Sequence, residues 1–470
     1  GEAGLIAKRT LDRDKGTRYK VVGFIDDDPK KTGKKLEGIS IHPADQLEKI
    51  LSKGNIEHLI IAIQNISPER KQFIVESSLQ YKIRVLNVPP VKSWINGELS
   101  FKQIRKVNIE DLLGREPIQL NLDLIKQELQ GKTILVTGAA GSIGSELVRQ
   151  ILPFQPALLV MVDIAESPLY ELELEIKDNP ETAHQRFETV IGDIRNMDRM
   201  RNVFATFHPE IIFHAAAYKH VPVMELNPSE SILNNVMGTK IIADLAMESG
   251  TRKFVMISTD KAVNPTNIMG ATKRIAEIYT QSMNSFGKTR FITTRFGNVL
   301  GSNGSVIPRF KKQIESGQPI TVTDPNITRF FMTISEASQL VLEAATMGKG
   351  GEIFIFDMGK PVRIDDLARK MIQLSGLELG KDIQINYTGI RPGEKLYEEL
   401  LANEENTMPT HHRKIMIAKV KEYDFATVSA DIHELIGLFN AQNNEAIVRK
   451  MKAIVPEFLS KNSTYEQLDK

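Results

Sequence analysis

Short apolar runs alternate with amphipathic stretches along residues 132–300. The strand candidates are TILVTG, LLVMVD, RFETVIGD, IIFHAAA, KFVMIST and RFITTRFGNVL, and helical patterns separate them. This alternation predicts an α/β fold with a doubly wound parallel sheet. In such a sheet, ligands are expected at the carboxyl ends of the strands.

A weaker version of the same pattern fills the first 110 residues. The runs YKVVGFIDDDP, EHLIIAIQ and IRVLNVPP read as strands, and PADQLEKILSKG reads as a helix. We therefore predict a smaller, truncated parallel α/β domain over 1–112, a polar connector with a short helix over 113–131, and the main domain over 132–470. Within the main domain, a nucleotide-binding core is expected over about 132–300, and a substrate lobe with C-terminal helices over about 301–470.

The bulk composition excludes several classes of function. The 470 residues suffice for two or three domains of ordinary size. Sixty Lys and Arg residues against 59 Asp and Glu residues give a net charge of +1, so no overall field favours nucleic acid or an anionic membrane. The chain has no cysteine, which excludes disulfides, thiolate nucleophiles and zinc–thiolate sites. We expect no nucleic-acid partner and no metal.

The start of the chain reads as an interrupted element. GEAGLIAKRTL looks like the tail of a glycine-rich turn whose strand is missing. No apolar run approaches the roughly 18 residues of a membrane span, and no signal peptide is evident. We therefore expect a soluble fragment of a longer protein, whose upstream segment could include membrane helices.

A glycine-rich turn follows the first strand of the main domain. Gly138, Gly141 and Gly144 stand where strand passes into helix, and glycines there let the backbone approach a pyrophosphate. Asp163 ends the next strand, 19 residues past Gly144, close to the spacing of a carboxylate that binds ribose hydroxyls. Because that carboxylate would repel a 2′-phosphate, NAD is favoured over NADP.

The third and fourth strands carry further candidates at their ends. Asp193 in GDIRN could meet the adenine edge, although a helix N-cap explains it about equally well. The small residues after the fourth strand would let a dinucleotide lie flat, or they serve packing alone. The predicted cofactor site comprises Gly138, Gly141, Ser142, Ile143, Gly144, Asp163, Asp193, Ile194, Ala215, Ala216, Ala217 and Lys273.

The stretch ISTDKAVNPTNIMGATKRIAE closes the fifth strand and enters a helix. Asp260 and Lys261 offer an acid and a base side by side, which suits an elimination. Met269 and Lys273 are four positions apart and share one helical face. Lys273 could bind the nicotinamide ribose and lower the pKa of a nearby hydroxyl by its charge. The alternatives are an ordinary polar loop, a core methionine and a solvated helix lysine.

Ordered motifs along nearly the whole chain carry a resemblance to a known family. They are LLGREPI, VTGAAGSIGSEL, AAAYKHVPVME, STDKAVNPTNIMGATKR, RFGNVLGSNGSVIP, TRFFMTISEA and RPGEKLYEEL. With them the chain resembles the extended short-chain dehydrogenase/reductase family. Within that family it is similar to the large, membrane-anchored UDP-N-acetylglucosamine 4,6-dehydratases of bacterial polysaccharide and glycan biosynthesis. These dehydratases carry Met in place of the family's usual Tyr, in agreement with Met269.

The resemblance implies a Rossmann fold, bound NAD and a UDP-N-acetylglucosamine substrate. Hydride would pass from C4 of the hexose to NAD⁺, while Thr259, helped by Lys273 and the ribose hydroxyl, relays the 4-hydroxyl proton. Lys261 would remove the C5 proton and Asp260 would protonate the departing 6-hydroxyl, before hydride returns to C6 and C5 is reprotonated with retention. For these roles the pKa of Asp260 must be raised and that of Lys261 lowered, both by burial. The implied catalytic residues are Thr259, Asp260, Lys261, Met269 and Lys273.

The resemblance also implies a site for the UDP moiety, which needs cationic and amide donors. Arg329 and Arg391 are the expected pyrophosphate partners, and Asn298 would donate to phosphate or sugar. Lys219 and His220 would line the hexose site, although His220 could equally be structural. The implied substrate-binding residues are Lys219, His220, Asn298, Arg329, Arg391 and Glu394.

The family's membrane helices would precede this chain, so the full-length protein is expected at the cytoplasmic face of the bacterial inner membrane. A homo-oligomer is also expected. Two other functions stay open. A C4 or C5 epimerase on the same scaffold would need no acid aimed at C6, and a non-catalytic NAD-bound sensor would have no physical reason to keep the acid, base and lysine.

Overall fold

The computed structural model describes residues 1–13, 19–91, 94, 98–112, 118, 120–398 and 407–469, without the side chain of residue 110. Most of LLGREPI, part of the predicted connector and the last two residues of RPGEKLYEEL lie outside the described residues. The chain forms two compact units. The first comprises residues 1–116, 310–321 and 366–386, and the second comprises 117–309, 322–365 and 387–470. The domain boundaries drawn from the sequence stay predictions.

The first unit begins with small mixed sheets. Its first elements are α1 (Glu2–Arg13), β1 (Phe24–Asp26), β2 (Lys35–Leu36), β3 (Ile39–Pro43), α2 (Leu47–Leu51), β4 (His58–Ile61), α3 (Pro68–Gln80), β5 (Arg84–Asn87) and β6 (Arg105–Lys106). The predicted strands β4 and β5 pair in parallel, as expected. The strand β3, which the pattern did not predict, pairs in parallel with β1, and β2 and β6 add antiparallel edges that the pattern also did not predict. The β2 edge is antiparallel because Glu37 and Gly38, with φ of 47° and 82°, form a two-residue hairpin turn.

The remaining strands follow in chain order. They are β7 (Thr133–Thr137), β8 (Leu158–Asp163), β9 (Phe187–Ile191), β10 (Ile211–His214), β11 (Lys253–Thr259), β12 (Arg290–Phe296), β13 (Asn298–Val299), β14 (Ile320–Val322), β15 (Thr328–Arg329), β16 (Phe331–Met332), β17 (Ile353–Phe356), β18 (Val362–Arg363), β19 (Ile385–Tyr387), β20 (Thr407–Pro409) and β21 (Ile415–Ala418). All six strand candidates of the main domain are confirmed, and Gly297 divides the sixth into β12 and β13.

The second unit is built on a 9-stranded sheet in the order β20–β21–β17–β12–β11–β10–β7–β8–β9. Seven neighbouring strands of this sheet pair in parallel, namely β17, β12, β11, β10, β7, β8 and β9. The strands β21 and β20 add an antiparallel edge next to β17. The chain starts at β7, builds outward to β9, and then returns to β10 on the other side. This reversal is the switch point of a doubly wound sheet, and it confirms the predicted fold class.

Helices cover the sheet on both faces. The helices after β6 are α4 (Leu122–Leu129), α5 (Ser142–Ile151), α6 (Glu166–Asp178), α7 (Met197–Phe207), α8 (Val221–Leu226), α9 (Pro228–Ser231), α10 (Thr239–Glu248), α11 (Ile268–Ser282), α12 (Val306–Glu315), α13 (Ile334–Met347), α14 (Ile364–Leu374), α15 (Phe425–Gly437) and α16 (Asn444–Ile454). Within the described part of the chain, no helix has both the length and the apolar character to cross a bilayer.

Alternate residues of each central strand enter two separate hydrophobic cores. On β8, Val160 and Val162 belong to one core, whereas Leu159 and Met161 belong to the other. Successive strand side chains point to opposite faces, and a parallel sheet is covered on both, so its strands read as continuous apolar runs. The sheet is therefore rigid at its centre, and the polar side chains at its carboxyl edge are held in place.

Candidate active site

The glycine-rich turn packs against the backbone that follows β10. Gly138 has a φ of 66°, and a Cβ atom added there would lie 2.6 Å from the backbone nitrogen of Ala216. A Cβ at Gly144 would lie 2.0 Å from the carbonyl oxygen of Gly138, whereas one at Gly141 would lie 3.1 Å from that oxygen. Only glycine fits the first two positions. The turn therefore brings bare backbone to the switch point of the sheet.

Helix α5 points its amino end at this turn. Its N-cap is Gly141, so no side chain of that residue covers the first backbone amides. The Ser142 hydroxyl accepts a hydrogen bond from the backbone N–H of Asn303 at 3.1 Å, and Ile143 packs against the core. Uncovered amides at a helix amino end attract phosphate groups.

Asp163 holds the glycine-rich turn from the neighbouring strand. Its carboxylate accepts hydrogen bonds from the backbone N–H groups of Ala140 and Ala165, each at 2.9 Å. Each carboxylate oxygen keeps a further lone pair, so ribose hydroxyls could still donate to it. The structure thus places Asp163 where the spacing predicted it, and its role toward a ribose stays a prediction.

Asp193 is engaged by a neighbouring arginine that the sequence reasoning did not consider. The Arg195 guanidinium donates to both oxygens of Asp193, with Nε at 3.0 and 2.9 Å. Burial raises the pKa of Asp193, but the hydrogen bonds from Arg195 outweigh it and hold the pKa below its usual value. The N-cap alternative is wrong, because Asn196 caps α7. Ile194 is buried against Gly238.

The segment after β10 runs from partly buried alanines to exposed polar residues. Ala215 and Ala216 are partly buried, and Ala217 is exposed. Lys219 and His220 also have exposed surface, yet burial by surrounding atoms lowers the pKa of both. Lys219 and Arg391 lower the pKa of His220 further by their charge, which indicates that these cations share one region.

Asp260 and Lys261 lie in contact just past β11. Lys261 Nζ donates to Asp260 Oδ1 at 2.9 Å, and the Thr259 hydroxyl donates to the same oxygen at 2.8 Å. Asp260 Oδ2 is buried and has no hydrogen-bond partner among the described residues. Burial raises the pKa of Asp260, the Glu398 carboxylate adds to the rise, and Lys261 and Thr259 oppose it. This direction agrees with the expectation of a carboxyl group that keeps its proton.

The pKa of Lys261 does not shift in the expected direction. Burial lowers its pKa, but the carboxylates of Asp260 and Glu398 outweigh burial and raise the pKa above its ordinary value. The expected lowering of the Lys261 pKa is therefore wrong. Lys261 Nζ lies 2.9 Å from Glu398 Oε1 and 3.3 Å from Asn298 Oδ1. Sequence reasoning missed Glu398, although the residue stands within the quoted RPGEKLYEEL.

The predicted pyrophosphate partners gather around Glu398 and a second carboxylate. Arg329 Nη2 lies 3.0 Å from Glu394 Oε1, and its Nε lies 3.4 Å from Glu398 Oε1. Arg391 is more exposed, with Nη2 at 3.3 Å from Glu394 Oε1. Asn298 Nδ2 donates to Glu398 Oε2 at 3.1 Å. The structure thus brings these predicted residues together in one charged cluster.

Helix α11 packs closely on the acid–base pair. A Cβ at Gly270 would lie 2.1 Å from the carbonyl oxygen of Lys261, so only glycine lets the helix approach. Met269 and Lys273 are 3% and 4% exposed, so the alternative of a solvated lysine is wrong. Burial lowers the pKa of Lys273 to about 8, and Glu277 opposes the fall. Lys273 therefore has an appreciable neutral fraction near neutral pH.

A buried carboxylate one turn after Lys273 also escaped the sequence reasoning. Glu277 has no exposed surface and accepts hydrogen bonds from Ser258 Oγ at 2.6 Å, Arg295 Nε at 2.7 Å and Arg274 Nη1 at 3.2 Å. Burial raises the pKa of Glu277, but the charges of Arg295 and Arg274 outweigh the effect of burial and hold this pKa below its usual value. This network ties the end of β11 to α11. No pattern in the sequence separates Glu277 from an ordinary helix glutamate.

The site thus combines the Asp260–Lys261 pair, the buried Lys273 and two arginines, Arg329 and Arg391. The glycine-rich turn lies at the same carboxyl edge of the sheet. Within the described ranges, no group of three or more His, Cys, Asp or Glu residues is arranged to hold a metal ion. The arrangement can bind a dinucleotide and a diphosphate-linked ligand, and can exchange protons with it.

Comparison with known proteins identifies a matching family and several relatives. A family model described as polysaccharide biosynthesis protein matches residues 134–420. Capsular polysaccharide biosynthesis protein CapD of Staphylococcus aureus is 45% identical, over 94% of this chain and 74% of that protein. UDP-N-acetylglucosamine 4,6-dehydratase (inverting) of Campylobacter jejuni is 35% identical, over 59% of this chain and 79% of that protein. UDP-glucose 4-epimerase of Rickettsia typhi is also 35% identical, over 58% and 79%.

Solved structures show the same fold. Pen from Bacillus thuringiensis is 35% identical with a TM-score of 0.56, covering 62% of this chain and 90% of that one. DesIV, a dTDP-glucose 4,6-dehydratase from Streptomyces venezuelae solved with NAD and TYD, is 21% identical with a TM-score of 0.52, covering 66% and 97%.

Proposed function

The chain belongs to the polysaccharide biosynthesis protein family, and we propose that it is an NAD-dependent hydro-lyase acting on UDP-N-acetylglucosamine. The product is UDP-2-acetamido-2,6-dideoxy-4-keto-hexose. The observation that carries the proposal is the contact between Asp260 and Lys261, 2.9 Å apart at the carboxyl end of β11. Elimination of water across two adjacent carbons needs an acid and a base held in this way.

The chain's own residues fit a dinucleotide. Gly138 and Gly144 leave no space for a side chain, α5 offers uncovered amides to a pyrophosphate, and Asp163 can accept from ribose hydroxyls while repelling a 2′-phosphate. When bound, NAD⁺ supplies the hydride acceptor for C4, and the reduced form supplies the hydride for C6.

Thr259 and Lys273 handle the proton of the 4-hydroxyl. The Thr259 hydroxyl donates a hydrogen bond to Asp260 Oδ1 at 2.8 Å. Its oxygen can therefore accept a hydrogen bond from the 4-hydroxyl of the substrate. Lys273, whose pKa is about 8, takes up the proton through its neutral fraction.

Asp260 and Lys261 carry out the elimination. Transfer of one proton from Lys261 Nζ to Asp260 Oδ1, across their 2.9 Å hydrogen bond, produces both the acid and the free amine. Asp260 then protonates the 6-hydroxyl, Lys261 removes the C5 proton, and water leaves. The proton held by Lys261 returns to C5 on the same face, so the configuration at C5 is retained. The proton that Lys273 took from the 4-hydroxyl passes through solvent to Lys261 and replaces the one that left with the water, which restores the starting pair.

The charged cluster binds the UDP moiety. Arg329 and Arg391 both form ion pairs with Glu394. A bound diphosphate would replace Glu394 as their partner and accept charge-assisted hydrogen bonds from both guanidinium groups. Lys219, His220 and Asn298 line the sugar side. The name of the C. jejuni relative supports the choice of UDP-N-acetylglucosamine.

Incubation with UDP-N-acetylglucosamine, followed by mass spectrometry, tests this function. We expect a product lighter by one water, formed without added NAD because each cycle restores the cofactor. An unchanged mass over many turnover times, with or without added NAD, would contradict the proposal.

A UDP-sugar epimerase is the second candidate, because the R. typhi relative bears that name at the same identity. An epimerized product has the mass of its substrate, so the same experiment with product NMR separates the two. A non-catalytic sensor would bind NAD and change neither mass nor configuration.

A further inference from the structure

Glu398 occupies the centre of the charged cluster, although the proposed reaction gives it no step. Its side chain is 5% exposed. Oε1 lies 2.9 Å from Lys261 Nζ and 3.4 Å from Arg329 Nε. Oε2 accepts hydrogen bonds from Asn298 Nδ2 at 3.1 Å and from the Phe330 backbone N–H at 3.3 Å. A carboxylate this well ordered and this well buried imposes a fixed negative charge on its neighbours.

We propose that Glu398 is a positioning residue that holds the Lys261 amine against Asp260 and sets the pH range over which the two side chains share one proton. This inference rests on the proposed function and names the residue that tunes it.

The geometry leaves Lys261 little freedom. Its Nζ donates to Asp260 Oδ1 at 2.9 Å, to Glu398 Oε1 at 2.9 Å and to Asn298 Oδ1 at 3.3 Å. An ammonium group has three N–H bonds, so this arrangement uses all of them. The only carboxyl group besides Glu398 that contacts this nitrogen among the described residues is Asp260. A proton that leaves Lys261 along these contacts therefore passes to Asp260 or to Glu398.

The neighbouring charges make Asp260 the acceptor. Glu398 is paired with Arg329 as well as Lys261, and burial raises its pKa less than these cations lower it. Among the described residues, Asp260 contacts a single cation, Lys261, and its buried Oδ2 has no hydrogen-bond partner. Its pKa is raised by burial and then by Glu398 itself. Glu398 thus stays ionised, so a proton that leaves Lys261 passes to Asp260, which becomes the acid.

The charge of Glu398 acts in the same direction on both members of the pair. It raises the pKa of Lys261 and that of Asp260. Three other charged groups belong to this cluster. Arg329 neutralises part of Glu398, Glu394 contacts Arg329 and not Lys261, and Arg391 contacts Glu394. Replacing Glu398 by Gln keeps the shape and removes the charge, so both pKa values should fall.

The pH profile of the dehydration rate reports these two pKa changes. The active pair holds one shared proton, so activity rises with pH as the pair loses the first of its two protons and falls as it loses the second. In Glu398→Gln both limbs should move to lower pH, by roughly one pH unit, the size expected for loss of a charge in contact. The matched control is Glu394→Gln, which also removes a carboxylate from Arg329. It should change KM for the UDP-sugar and leave the limbs in place.

A second readout needs no turnover. The rate at which acetic anhydride modifies Lys261 in substrate-free protein, measured by peptide mass spectrometry against pH, reports the titration of that amine. We expect the midpoint to fall by roughly one pH unit in Glu398→Gln and to stay in place in Glu394→Gln. Glu398→Asp, which keeps the charge but withdraws it, should give a smaller fall, and it serves if the Gln variant does not fold.

The outcomes separate the two proposals. An unmoved Lys261 midpoint in both Glu398 variants overturns the positioning role, whatever the activity. A lowered midpoint in a protein that releases no water from UDP-N-acetylglucosamine keeps the role of Glu398 and overturns the proposed function.

Discussion

Lys273 gives the sharpest prediction about stability. The side chain is 4% exposed and its pKa falls from 10.5 to about 8, chiefly through burial. Each tenfold change in proton affinity corresponds to about 1.4 kcal/mol, so holding this lysine charged costs the folded state about 3 kcal/mol. Lys273→Met removes the amine and fills similar space. In cofactor-free protein at pH 7, the variant should be more stable by up to about 3 kcal/mol and should lose its activity.

The free-energy cost of the charged Lys273 depends on pH in a direction that follows from its two pKa values. The unfolded chain binds the Lys273 proton more tightly than the folded protein, so the cost is fully present below pH 8. It disappears as pH rises from about 8 toward 10.5, where the amine is neutral in both states. The advantage of the variant should therefore shrink across this window.

Urea unfolding followed by circular dichroism measures the difference. The single tryptophan, Trp94, lies in the first unit, so its fluorescence would not report on the main sheet. Lys288→Met at an exposed position is the control and should change stability little at any pH. A Lys273→Met protein that is no more stable than wild type at pH 7, or an advantage that is constant up to pH 10, would refute the reasoning.

Three further predictions concern ligand binding and chemistry. Gly138→Ala should abolish co-purification of the dinucleotide, read by chromatography of the released nucleotide, because the new Cβ would lie 2.6 Å from the Ala216 nitrogen. Gly287→Ala, with a φ of 65° and no atom within 4 Å of the new Cβ, carries the same backbone strain of about 1 kcal/mol and should keep the dinucleotide. Asp260→Asn should still form reduced cofactor, seen by absorbance on adding UDP-N-acetylglucosamine, but release water at least about a hundredfold more slowly; equal loss of both steps would count against Asp260 as the acid. Arg329→Lys should raise KM about tenfold or more with little change in kcat, because a lysine cannot donate in the bidentate geometry; an unchanged KM would remove Arg329 from the diphosphate site.

Local pattern was sufficient for six strands of the main sheet and for the glycine-rich turn. Most of these six strands are buried and show as continuous apolar runs. Three further strands of the same sheet, β17, β20 and β21, are only three or four residues long and were not predicted. Asp163 was found from its spacing because strand and helix lengths fix where a chain returns to the sheet edge. The antiparallel edge β2 was missed because its turn uses Glu37, a residue that seldom takes a positive φ.

Contacts between residues far apart in the chain set pKa values that could not be predicted from the sequence. Lys261 was expected to have a lowered pKa, since burial alone acts in that direction. The carboxylate of Asp260 and that of Glu398, 137 residues after Lys261, together reverse the direction. Arg195 similarly changes the surroundings of Asp193. Charge states at the site depend on such partners, which no spacing rule identifies.

Transfer of a label within the sugar tests the central claim most directly. UDP-N-acetylglucosamine carrying deuterium at C4 is incubated with the protein, and the product is analysed by NMR. Oxidation at C4, loss of water and return of the same hydride predict deuterium on the new C6 methyl group, in a sugar lighter by one water. Deuterium that returns to C4 in a product of unchanged composition would contradict the account and indicate an epimerase.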